Sequence, residues 1–129
     1  MKLKLKIINL EGIYLQKEVD LINIMTSTGN LTIYANHLPL ITNVQISHMY
    51  LKDHDQIENF AIAGGTLFVS DSECKIITSA IESADEIDLS RAKQAKELAE
   101  QRLKESSEDV DMKRAEVALK RAMNRLTLK

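Results

Sequence analysis

The glycines and arginines of this chain occupy separate regions. All four glycines and the only proline fall within residues 1–65, and all five arginines fall within residues 91–125. Glycine and proline punctuate turns and weaken helix interiors, whereas arginine and alanine are good helix formers. A chain written this way folds as two chemically different parts, with the change falling around Ile81–Asp88. The expected organisation is a β domain over residues 1–84 followed by a helical hairpin over 85–129.

The first part reads as short strands. Leu3, Leu5 and Ile7 alternate with Lys2, Lys4 and Lys6, a period of two that separates an apolar from a charged face. Further apolar runs cover Val19–Met25, Leu31–Ile33, Ile41–Ile46, His48–Lys52, Ile57–Ala63, Thr66–Ser70 and Cys74–Thr78. Turn signals separate them at Glu11-Gly12, Ser27–Asn30, His54-Asp55, Gly64-Gly65 and Ser70–Ser72, with Gly64-Gly65 expected to close a hairpin. Many short strands with regular turns suggest a sandwich or flattened barrel.

The second part reads as two helices. Asp88 is a good N-cap for a helix running to about Glu105. Ser106-Ser107 breaks the pattern, and Asp109 or Asp111 opens a second helix ending near Leu126. Met112, Ala115, Leu119, Ala122 and Leu126 form a narrow stripe on that helix, facing Leu89, Ala92, Ala95, Ala99 and Leu103 on the first. So short a connection makes the helices antiparallel neighbours. A buried alanine methyl contributes about 1 kcal/mol at most, against ~1.5–3 for a leucine, while ordering the backbone costs about 1–2 kcal/mol per residue. The hairpin is therefore expected to be marginal by itself, an arm able to open.

Chemistry-bearing motifs are scarce. With 129 residues, 44 % hydrophobic and 28 % charged, the chain has apolar material for one modest core. Its net charge of −2 argues against a general nucleic-acid binder. No stretch is long and apolar enough to span a membrane, and the alternating start does not resemble a secretory leader. One cysteine, Cys74, permits no internal disulfide and fits a reducing cytoplasm. His37, His48 and His54 lack paired zinc-ligand spacing, and no nucleotide-binding glycine loop or nucleophile elbow is present. No metal site is expected: the acidic group Glu82, Asp85, Glu86 and Asp88 reads as a linker with a helix cap. The chain thus reads as an interaction subunit rather than an enzyme in its own right. Its second helix is strongly basic, with Lys113, Arg114, Lys120, Arg121, Arg125 and Lys129 against Glu116 alone over residues 112–129. Arg121 and Arg125 share a face, which points to an acidic partner surface or a polyphosphate.

Two segments carry a family resemblance. Gly29–Thr42 fits a G-x-L-x-I-x-x-x-H-x-P-L pattern, and Ile87-Asp88-Leu89-Ser90-Arg91-Ala92 fits I-D-x-x-R-A. With the run Asp111–Leu126, they make the whole chain resemble the epsilon subunits of bacterial F-type ATP synthases, in particular the bacillus-like members. The resemblance implies an α+β fold: an antiparallel β-sandwich of about ten strands followed by an antiparallel two-helix hairpin. It implies a non-catalytic place at the foot of the central rotor, peripheral on the cytoplasmic face of the bacterial plasma membrane. The implied partners are the gamma subunit, the c-ring and the alpha and beta catalytic subunits. Gly29, Leu31, His37 and Pro39 are the implied rotor-contact residues. Lys113, Arg114, Lys120, Arg121 and Arg125 would form an inhibitory basic helix meeting an acidic loop of a beta subunit.

No cofactor is required, but in some family members ATP binds the folded hairpin. The matching positions here are Glu82, Ile87, Asp88, Arg91, Ala92, Arg121 and Arg125. Leu98 stands where ATP-binding members carry a further arginine, and Ala35-Asn36 stands where Pro-Gly is usual. Two expectations stay open: an arm that regulates ATP hydrolysis, and a purely structural coupler between gamma and the c-ring.

Overall fold

The computed structural model describes residues 1–105 and 108–128. Ser106, Ser107 and Lys129 lie outside the described residues, so the expected break at Ser106-Ser107 does too. Eight strands come first: β1 (Leu3–Asn9), β2 (Gly12–Val19), β3 (Leu21–Thr26), β4 (Gly29–Tyr34), β5 (Leu40–Asp53), β6 (Gln56–Ser70), β7 (Glu73–Ile77) and β8 (Ile81–Ser83). A 3-10 turn (Ala84–Glu86) leads to α1 (Leu89–Glu105) and α2 (Asp109–Leu128).

The strands are hydrogen-bonded in the order β2-β1-β7-β6-β5-β3-β4, with β8 also on β6. Two long strands turn this continuous ladder into two layers. In β5 the buried positions pass from Val44 to Met49 and Leu51, and in β6 from Phe60 and Ile62 to Leu67 and Val69. Inward parity therefore flips in both strands while their pairing continues from Leu40–Val69 to Asp53–Gln56. Because side chains alternate faces, a flip without loss of register means that the pair crosses from one layer to the other. One layer holds β4, β3, the second half of β5, the first half of β6, and β8; the other holds β2, β1, β7 and the remaining halves.

This crossing explains a count of eight strands rather than ten, since β5 and β6 each serve both layers. The sheet is also not wholly antiparallel. β1 pairs with β7 in parallel, and all other pairs are antiparallel among the described strands. The crossing also overturns the expected hairpin at Gly64-Gly65. Both glycines lie inside β6 at positive φ, +81° and +140°. They bend a continuous strand, a use of glycine that turn chemistry alone does not separate from a hairpin.

The core lies between the layers and includes Leu3, Leu5, Ile7, Ile22, Ile24 and Phe60. Cys74 is within it, and burial pushes its thiol up to about 12. The lysines alternating with the β1 leucines point away from it.

In the hairpin, α1 packs principally on α2, and α2 in turn lies on β5 and β6. Ala92, Ala99, Ala115 and Ala122 are its buried seam residues. Met112, Leu119, Leu126, Ala95 and Leu103 are half-buried, and Leu89 is exposed at the first turn. Leu89 thus falls out of the expected seam.

Candidate functional site: the seam between hairpin and sandwich

Three short segments meet under the last turns of α2. The outward row of the sheet across β8, β6 and β5 is Glu82, Ala61 and His48, fixed by the pairings Ala61–Glu82 and His48–Ala61. The small Ala61 in the middle, buried beneath α2, lets the helix approach closely. Arg125 descends on one side, its Nε donating to Glu82 Oε1 at 2.5 Å. Asn124 descends on the other, donating to the Ser47 carbonyl at 2.8 Å and to the Ile62 carbonyl at 3.4 Å. His48 Nε2 lies 2.8 Å from the Asn124 carbonyl and 3.1 Å from Thr127 Oγ1. A carbonyl only accepts, so Nε2 carries the proton.

Arg121, one turn earlier, reaches Ser79 Oγ at 3.5 Å. Its Nε is buried with no hydrogen-bond partner. A buried guanidinium N–H without an acceptor is unusual. The gap bounded by Ala61, Ile62, Ala63, Ala80 and these side chains is only about 10 Å³, room for one water at most. The gap therefore leaves no room at the Arg121 Nε for anything larger than a water.

The other positions expected around a nucleotide sit at the start of α1. Asp88 caps the helix, its Oδ1 accepting from the Arg91 backbone N–H at 3.1 Å. Ile87 and Ala92 are buried. The structure thus joins Glu82 to Arg125, places Arg121 beside Ser79, and sets Asp88 with Arg91 at one helix N-terminus. The Arg91 side chain is exposed. Leu98 is exposed on the same helix, two turns further on.

The acidic group of the linker is dispersed among separate partners. Glu82 serves Arg125 and Asp88 caps α1. Glu86 accepts from the Tyr14 hydroxyl and, at 3.1 Å, from the Ser83 backbone N–H. The Tyr14 hydrogen bond holds the Glu86 carboxyl below the usual carboxylate range, while burial and then that same bond push the Tyr14 hydroxyl well above 10. Tyr14 pins the linker to β2, although no motif in the sequence marks it.

The basic residues of α2 divide. Lys113, Arg114 and Lys120 face solvent, whereas Arg121 and Arg125 turn toward the sandwich. The candidate rotor-contact residues divide as well. Gly29 opens β4 at the β3–β4 turn, and His37 and Pro39 lie beyond its other end. Six residues of strand, about 17–20 Å at ~3.3 Å each, separate them, so Gly29 and His37 do not form one compact patch. Leu31 packs partly against the core. His37 Nδ1 lies 2.7 Å from the Leu38 carbonyl, and the loop with the start of β5 displays Leu38 and Ile41, 79 % and 72 % exposed. Asn36 takes φ +67° and donates from its backbone to Ser72 Oγ at 3.1 Å. Asparagine is among the residues that tolerate this left-handed conformation, so the loop turns here without glycine.

A groove of about 630 Å³ crosses the face of β2, β1, β7 and β6 beside Lys4, Lys6, Lys75 and Phe68. It lies on the layer away from the hairpin.

Comparison with known proteins agrees with this architecture in both parts. Residues 2–84 match the family model "ATP synthase, Delta/Epsilon chain, beta-sandwich domain", and residues 85–129 match "ATP synthase, Delta/Epsilon chain, long alpha-helix domain". The ATP synthase epsilon chain of Alkaliphilus metalliredigens is 39 % identical, covering 98 % of this chain and 95 % of that protein. The epsilon chain of Bacillus cytotoxicus is 36 % identical, covering 93 % and 90 %. Among solved structures, a chain of the Euglena gracilis mitochondrial ATP synthase shares the fold with a TM-score of 0.81 at 21 % identity, covering 95 % of this chain and 78 % of that one. Sandwich, hairpin and full-length relatives lead to one conclusion: the chain belongs to the ATP synthase delta/epsilon family, among the bacterial epsilon chains.

Proposed function

We propose that this chain is a central-stalk subunit that couples rotation to ATP synthesis and restrains ATP hydrolysis through its hairpin. It has no bond chemistry of its own and works peripherally, at the cytoplasmic face of the membrane, with gamma, the c-ring and the alpha and beta subunits as partners. Among the described residues no helix is long and apolar enough to cross a membrane. The single observation that carries the regulatory reading is how the hairpin is seated. It meets the sandwich through the last turns of α2 over a small-residue seat, with polar contacts at its rim. A broad apolar contact would hold an arm permanently; this one is narrow enough to release.

ATP fits as a ligand of the retracted state. The half-buried Arg121 and Arg125, with the exposed Arg91 and the α1 N-terminus at Asp88, suit a triphosphate approaching from solvent. A ligand that binds only the retracted hairpin at 100 times its dissociation constant adds ~2.7 kcal/mol to that state. Leu98 supplies no charge, which weakens the site relative to members with arginine there.

Calorimetry of the full chain with ATP tests the ligand: heat of binding that disappears in Arg121→Ala is expected, and no heat at millimolar ATP removes it. Truncation after about Asp85 tests the arm in the assembled complex. A rise in ATP hydrolysis is expected, whereas an unchanged rate leaves the chain a structural coupler.

A further inference from the structure

We propose that His48 and Asn124 form a latch that holds the hairpin in its retracted position independently of nucleotide. The inference rests on the moving-arm reading above and names what fastens the arm.

Among the described residues of the hairpin, α2 alone bears substantially on the sandwich, and it does so near its C-terminal end. Asn124 sits at the centre of that contact. Its amide bridges two strands at once, through the carbonyls of Ser47 on β5 and Ile62 on β6. The Asn124 backbone carbonyl accepts from His48, and Thr127 Oγ1 closes the group by approaching the same ring nitrogen. One residue therefore gives and receives across the interface, so the helix is fixed in rotation as well as in height. Arg121 and Arg125 lie on the flank toward Ser79 and Glu82, where the nucleotide would neutralise them. His48 and Asn124 are on the opposite flank, next to β5. The two sets of contacts can therefore be changed separately.

The latch is also built to open. His48 and Thr127 are exposed and Asn124 only half-buried, so water replaces each bond on release. A hydrogen bond made in exchange for water contributes about 0.5–1.5 kcal/mol, and each one lost shifts the closed-to-open ratio by about two- to twelvefold. Neither side chain belongs to the sandwich core, so removing one leaves the β domain to fold.

The test uses the full chain without ATP, carrying spin labels at Asn59→Cys and Lys113→Cys, both exposed positions; the native Cys74 thiol is buried and stays unlabelled. Continued protection of that thiol also reports that the sandwich is folded. His48→Ala and Asn124→Ala are each expected to move the population at least several-fold toward longer or broader label distances. His48→Gln, which keeps a donor, should restore most of the closed population. Unchanged distances in both alanine variants overturn the latch, as does opening in His48→Gln equal to that in His48→Ala. Opening of the isolated chain without any change in hydrolysis by the assembled complex supports the latch and rejects the regulatory reading.

Discussion

A methyl group on Gly65 would lie 2.1 Å from the Ile77 carbonyl oxygen, against the chain leaving β7, and the residue sits at φ +140°. Steric overlap with backbone and a left-handed conformation act together. Gly65→Ala is therefore expected to cost about 3 kcal/mol or more, read as a lower urea midpoint at unchanged slope. Gly29 makes a contrast, since nothing lies within 4 Å of its added Cβ and only its φ resists substitution. Tyr14 and Glu86 give a pH signature. Glu86 titrates below its usual range when folded, so its contribution is full above the unfolded carboxylate value and fades as pH falls through the folded one. Tyr14 titrates above 10 when folded, so its contribution holds below 10 and fades as pH rises beyond it. Tyr14→Phe should flatten both limbs, checked by unfolding free energies of the two proteins across the pH range. Equal slopes in the two proteins would show that this pair does not anchor the linker.

At the scale of elements, helix caps and strand parity differ in how plainly the sequence displays them. Asp88 before a run of helix formers was readable as a cap, and its Oδ1 takes that part. Asp88→Ala should cost about 1 kcal/mol of hairpin stability while Asp88→Asn keeps most of it, measured by helical circular dichroism on mild heating. If Asp88→Asn abolishes ATP binding yet leaves the helix intact, cap and ligand roles separate at this residue. The crossing strands were less readable. Ile41–Ile46 and His48–Lys52 look like two strands because their inward parity breaks between Val44 and Met49, yet the ladder runs through both. A parity break signals a turn or a layer crossing, and only the partner strand decides which. The candidate site was legible where charges announce themselves, in Arg121, Arg125 and Glu82. It was silent for Asn124, whose partners Ser47 and Ile62 are engaged through backbone carbonyls that every residue possesses.

Across the whole molecule the apolar core stops at Ile81, and its members all belong to the sandwich. Within the helices the buried residues Ala92, Ala99, Ala115 and Ala122 bring little area, and their seat on the sheet is another alanine, Ala61. Burial scales with apolar area, so the two parts are held by very different amounts of free energy though they share one chain. Such a molecule opens in two stages. Amides at Ala99 and Ala115 are expected to exchange with solvent hydrogen through a low-energy opening that leaves Leu5 and Ile62 protected. The same opening should respond only weakly to added urea, because it exposes little surface. Native-state exchange at several urea concentrations measures both quantities residue by residue. Helix and core amides that share one opening free energy and one urea dependence would mean that hairpin and sandwich unfold as a single unit. An arm so tied to its base could not extend without the base coming apart, and the seat beneath α2 would then be a permanent joint.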